Sequence, residues 1–179
     1  MSELNELLLS TFGKEFWQYA VVNSEDVSFE QAVLDACHQN YCGRYGKSWT
    51  CPPGGGDPAV IQAKLKEYGS VFIFTTKTDI EDSFDIEGMS AAHKIHDGLT
   101  RRVHDFCSAY DCILLGAGSC TFCEKCTYPD APCRFPDKAI RSVESVGINV
   151  MALSRKAGIN YINGQNTVTY FSAVFFDRR

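Results

Sequence analysis

The run Cys112-Ile-Leu-Leu-Gly116-Ala-Gly-Ser-Cys120-Thr-Phe-Cys123-Glu-Lys-Cys126-Thr-Tyr-Pro-Asp-Ala-Pro-Cys133 joins an apolar segment to a cysteine loop. Its first residues form a short, continuous apolar run, the pattern of a strand buried on both faces. Gly116 and Gly118 then lead directly into three cysteines at three-residue steps, with Cys133 beyond them. In open α/β sheets the carboxyl edge of the strands is where ligands are held. Residues 1–179 are therefore expected to form a single α/β domain. Its sheet should be mixed and mostly parallel, flanked by helices, with the cysteine loop at the carboxyl end of a strand.

Thiolates are ligands for soft metals, and three on one compact loop can wrap a face of a polynuclear iron–sulfur cluster. A single zinc ion is usually served by two Cys-x-x-Cys knuckles far apart in sequence. Here the two steps share Cys123, which is awkward for a tetrahedral ion and natural for a cube with several metal corners. The expectation is a [4Fe–4S] cluster, with zinc as the alternative. The simplest ligand set is Cys120, Cys123, Cys126 and Cys133; a rival set replaces Cys133 with a remote thiol.

Outward from this run the periodicities set the remaining elements. Toward the N-terminus, Ala92, Ile95, Leu99, Val103 and Phe106 recur at three- and four-residue steps, marking an amphipathic helix. An acidic linker (residues 79–87) precedes it, and before that Val71-Phe-Ile-Phe-Thr-Thr reads as a buried strand. Asp57-Pro58 is a helix start that should run to Tyr68, with Gly69 ending it. Residues 1–23 read as a short helix and an extended piece ending Tyr19-Ala-Val-Val22. Ser24 is expected to cap a helix through Val27, Ala32, Val33 and Ala36 that delivers Cys37 near its end. On the C-terminal side, Asp137 should cap a helix to Val146 closed by Gly147. Ile148-Asn-Val-Met-Ala-Leu153 reads as a strand, 154–166 as a polar loop and Thr167–Phe176 as a last strand.

A second cysteine-bearing stretch spans Cys37, Cys42 and Cys51 and ends in Pro52-Pro53-Gly54-Gly55-Gly56, through which regular structure cannot persist. These thiols either bind metal, giving a second cluster with one iron lacking a cysteine, or line a pocket beside the first cluster. An open iron is what a Lewis-acid or redox site needs to meet a substrate. Between them, Arg44, Tyr45, Lys47 and Trp49 could form a pocket for an anionic or planar ligand, or could hold the loop down. The triple glycine matches neither the P-loop nor the dinucleotide fingerprint. Cys107 and Cys112 read as core thiols. His93 is expected to be solvated and His96 hydrogen-bonded.

The 179 residues carry a formal net charge of -5, which argues against a nucleic-acid or anionic-membrane surface. Nine cysteines, an odd number, argue against a disulfide scaffold. Leu7-Leu8-Leu9 is too short for a signal segment or a membrane span. A cytoplasmic protein with reduced thiols is expected, and oxygen sensitivity would follow from an accessible cluster.

With both cysteine stretches in view, the chain resembles a widespread prokaryotic family of predicted metal-binding proteins (domain of unknown function 2284). The resemblance rests on Cys42…Tyr45-Gly-Lys…Trp49-Thr-Cys51-Pro-Pro53, on Gly116-Ala-Gly-Ser-Cys120-x-x-Cys123-x-x-Cys126, on Cys133-Arg-Phe-Pro136 and on Ser145-Val-Gly-Ile-Asn-Val150. It spans roughly residues 30–155 and implies metal binding through these cysteines, with no established reaction. Three functions follow as expectations. An electron-transfer or redox accessory protein would work with a redox partner protein. An iron–sulfur reductase or lyase would act on a small molecule at an open iron. A structural zinc module would serve partner recognition. A homodimer across an exposed cluster edge would be compatible with the first.

Overall fold

The computed structural model describes residues 3–177. Its sheet is built on two long strands, β2 (Ser70–Asp79) and β5 (Thr167–Phe176), with β1 (Tyr19–Asn23) outside β2; β3 (Cys112–Gly116) and the two-residue β4 (Arg141–Ser142) complete the order β1-β2-β5-β3-β4. The helices among the described residues are α1 (Glu3–Phe12), α2 (Gln31–His38), α3 (Pro58–Leu65), α4 (Ile86–Cys107) and α5 (Val150–Ala157).

The β2 and β5 runs are apolar on both sides because both faces of the sheet are covered. Alternation sends Phe72 and Phe74 of β2 and Val174 and Phe176 of β5 to one face, where Leu8 and Phe12 of α1 and Leu99 and Val103 of α4 close over them. Val71, Ile73, Ala173 and Phe175 point the other way, against Leu65 of α3, Val146, Ile148 and Leu153. The β2, α4, β3 order is a strand–helix–strand unit, and β2 and β3 run in the same direction because both are antiparallel to β5.

The insertion of β5 between them corrects the expected sheet. It is mixed but mostly antiparallel; among the described residues only β3 and β4 pair in parallel. The strand expected at Ile148–Leu153 is also absent: Ile148 makes an isolated bridge with Phe29, Asn149 is a cap, and Val150 begins α5. The Asn149 side chain caps α5 by accepting from the Ala152 N–H at 3.1 Å, and Gly158 closes it in the left-handed conformation at φ +67°. The helix expected from Asp137 to Val146 is also replaced. It divides into a 3-10 turn (Pro136–Lys138), β4 and a second 3-10 turn (Glu144–Val146) that Gly147 does close. Ser24 caps no α-helix, because its hydroxyl donates to the Tyr68 carbonyl; only a 3-10 turn (Ser24–Asp26) follows, and α2 begins at Gln31. Asp57 and Pro58 start α3 as expected, with the Asp57 carboxylate accepting from the Ala59 N–H at 2.9 Å, although Lys66 already caps its end. Among the described residues no helix is long and apolar enough to cross a membrane.

Candidate metal centre

The cysteine loop is the connection within the parallel pair. It leaves β3 at Gly116 and returns to the sheet at β4, where the Val143 N–H donates to the Gly116 carbonyl at 3.0 Å. Both ends are thus fixed at the carboxyl edge of β3. The side nearest α4 is held as well. Arg101 pairs with Asp97 through Nε at 2.7 Å and donates from Nη2 to Thr121 Oγ1 at 2.8 Å, and that hydroxyl donates on to Asp97. The Arg101 guanidinium also lies 5.1 Å from the Phe122 ring centre, so α4 positions the residues between Cys120 and Cys123.

The earlier stretch, after α2, docks onto this loop. Trp49 Nε1 donates to the Ala131 carbonyl at 3.0 Å, and its ring meets Tyr128 edge-on at 4.9 Å. The Cys120 N–H donates to Thr50 Oγ1 at 3.2 Å, and Arg141 reaches the Gly55 carbonyl from Nη1 at 2.6 Å. Ser48 Oγ accepts from the Cys51 N–H at 3.1 Å. Gly54 permits the close approach, because a Cβ there would sit 2.4 Å from the Ser48 carbonyl oxygen and 2.7 Å from the Tyr128 ring. Gly54→Ala is expected to cost about 1–3 kcal/mol through overpacking, read as a lowered denaturant midpoint, and to reduce metal loading as the two loops part. Unchanged stability and loading would show that this seam is slack.

Two neighbouring cavities divide the thiols. Cys37, in the last turn of α2, joins Cys42 and Cys51 around a cavity of about 540 Å³, which Tyr45, His93 and Glu144 also line. Cys120, Cys123 and Cys126 line another of about 450 Å³ with Lys47 and Lys125. Arg44, Ser119 and Thr121 line both, so they form the wall between the two thiol groups. Cys133 lies on a third cavity of about 480 Å³, beside Trp49. The four expected pocket residues therefore separate. Arg44 and Tyr45 face the first cavity, Arg44 and Lys47 the second, and Trp49 holds the loop down.

Burial pushes the Cys37 thiol above its ordinary range, and the neighbouring Cys42, Glu144 and Cys51 charges add to the effect. Burial also raises Cys51, offset in part by hydrogen bonds from Ser48 and Thr50. A metal binding here must displace these protons, so its affinity rises with pH.

Sequence reasoning placed His93 in solvent, and this is corrected. It is half-buried, its Nε2 lies 2.9 Å from the Ala117 carbonyl oxygen, and it lines the Cys37/Cys42/Cys51 cavity. The missed signal was its place three residues before a core histidine, which turns it toward the β3 exit. His96 is hydrogen-bonded as expected, through both ring nitrogens. Cys107 is buried and Cys112 half-buried, both packed with the core face that carries α4.

Among the described residues, no three His, Cys, Asp or Glu side chains converge closely enough to hold a single ion as they stand. What the chain does offer is three thiols spread around a cavity with room for a polynuclear group, with lysine and arginine at its edge. That donor set fits a soft, anionic, thiolate-ligated centre. The chain belongs to the family described as predicted metal-binding protein (DUF2284), whose profile matches residues 20–176 and takes in both cysteine loops. No curated protein and no solved structure matches the chain.

Proposed function

We propose that the protein holds a [4Fe–4S] cluster through Cys120, Cys123 and Cys126, with Cys133 as the simplest fourth ligand, and serves electron transfer or a redox accessory role. The observation that carries this reading is the placing of those three thiols around one cavity edged by Arg44, Lys47 and Lys125. A bound cluster would supply a one-electron couple whose potential depends on local charge and exposure. The cationic side chains offset the thiolate charge, and Arg101, through Thr121 and Phe122, keeps the ligand-bearing backbone in place. Half-exposed cysteines leave one edge open to a redox partner protein, in a reducing compartment such as the cytoplasm.

A second reading rests on the 540 Å³ cavity. Three thiols with His93 beside them could hold a metal centre one cysteine short, next to space for a small molecule. On this reading the protein is a reductase or lyase. A structural zinc site remains the alternative to any cluster.

An anaerobic assay of iron, sulfide and zinc separates them, made on the wild type and a Cys42→Ser/Cys51→Ser variant. About four iron and four sulfide per chain, unchanged in the variant, support the electron carrier. About eight falling to about four move the assignment to the enzyme. Zinc without sulfide ends the cluster reading.

A further inference from the structure

Away from both loops the chain carries a thiol pair of another kind. Cys107 is the last residue of α4 and Cys112 the first of β3, so both are anchored by regular structure. The turn between them is tied down by the Ser108 N–H to the His104 carbonyl at 3.0 Å and the Tyr110 N–H to the Cys107 carbonyl at 2.9 Å. The Cys112 thiol donates to the Cys107 carbonyl oxygen, with the sulfur 3.5 Å away, so it lies against the backbone of the other cysteine. The pair is unequal. Cys107 is 4% exposed, whereas Cys112 is only half-buried.

The inequality extends to acidity. When Cys112 ionises, the Cys107 S–H can donate to it, which draws the Cys112 thiol below its ordinary range. Burial and the Asp111 carboxylate oppose that shift. Cys107 is correspondingly pushed up, by that hydrogen bond and by burial. An accessible thiol of lowered pKa beside a buried partner is the arrangement of an attacking and a resolving cysteine.

We propose that Cys112 and Cys107 form a redox-active dithiol that is oxidised by a low-molecular-weight disulfide of the glutathione type. The Cys112 thiolate attacks one sulfur of that disulfide, forms a mixed disulfide and expels the other half as a thiolate. Cys107 then attacks Cys112 Sγ, the mixed disulfide breaks, and the second half leaves. Two protein thiols become one disulfide, two glutathione thiols are formed, and the two protons pass from the protein to them. The product would tie the end of α4 to the start of β3, the strand whose far end feeds the cysteine loop.

The test is independent of what those loops bind. The anaerobically purified wild type is treated with oxidised glutathione, digested without reduction, and its disulfides are mapped by mass spectrometry. A Cys107–Cys112 disulfide that is reversed by dithiothreitol is expected. In the untreated protein, iodoacetamide should label Cys112 roughly tenfold or more faster than Cys107. Cys107→Ala should stop at a glutathione adduct on Cys112, and Cys112→Ser should give neither product. The wild-type mapping stands even if a variant folds poorly. Cys112 left as a free thiol while Cys42 is modified, or a Cys112 adduct that wild-type Cys107 never resolves, would overturn the proposal.

Discussion

If the protein holds the proposed cluster, serine at both Cys123 and Cys126 is expected to strip it of most of the iron and sulfide, whereas Cys112→Ser should leave both unchanged. A serine hydroxyl stays protonated at neutral pH and is a hard oxygen donor, so it is a poor ligand for a soft centre. Both residues are half-exposed and sit in a loop with few buried apolar side chains, so the substitutions open no core cavity. The loss should therefore appear in metal content and the visible spectrum before it appears in the sheet. It should also appear locally. Lys125 lies exposed between the two positions, and the loop is otherwise held by Thr50, Trp49 and Arg101 at its margins. Without a bound centre the peptide bond after Lys125 should become a preferred tryptic site, while β2 and β5 stay protected. Full iron and sulfide in the double variant would place the ligands elsewhere, with the Cys37, Cys42 and Cys51 group the first to test.

The parts of this architecture that were legible in the sequence are those where burial and period agree. Val71–Thr76 and Cys112–Gly116 read as strands because both sheet faces are covered. The α4 period was plain because Ala92, Leu99 and Val103 turn inward with Phe106 packed beside them, although Ile95, counted with them, is exposed and His96 takes the inward place. Ile148–Leu153 misled because six mostly apolar residues suit a strand or a buried helix equally. The deciding signals lay at its margins, in the Asn149 cap and the Gly158 stop. Strand direction was hidden for another reason. β5, the last strand in the chain, inserts between β2 and β3, and no local pattern encodes so distant a pairing. At the candidate centre the ligand types and spacing were visible in each stretch. Their meeting was not, since it depends on Trp49 reaching Ala131 and on Thr50 reaching the Cys120 backbone, some 70–82 positions apart.

Burial of His96 should cost the protein about 3 kcal/mol of stability as pH falls from 6.5 to about 4, a contribution that His96→Gln should remove. His96 is fully buried, with Nδ1 2.9 Å from Thr76 Oγ1 on β2 and Nε2 2.8 Å from Ser172 Oγ on β5. Ser172 in turn lies 3.0 Å from Thr100 Oγ1, so the ring ties α4 to the two central strands. Burial, with a smaller contribution from nearby His93, lowers its pKa from 6.5 to about 4. The folded state thus keeps His96 neutral in a range where the unfolded chain binds a proton. Stability is therefore fully present above the unfolded value, declines as pH drops below it, and the contribution is exhausted near the folded value. At about 1.36 kcal/mol per pH unit, that interval gives the figure of about 3 kcal/mol. Half-buried His104 is also shifted down, chiefly by burial, and adds to the same limb. Glu15, Asp85 and Asp105 are shifted down as well but act mostly below this window, whereas Glu144, pushed up by burial, favours the folded state as pH falls and opposes the histidines. A glutamine in place of His96 keeps a donor and an acceptor without a titrating group. The difference between wild-type and variant denaturation curves across about pH 4–7 therefore isolates the histidine. Parallel curves would mean that His96 titrates alike in both states. A converging pair, with the variant gaining on the wild type as pH falls, is the expected outcome.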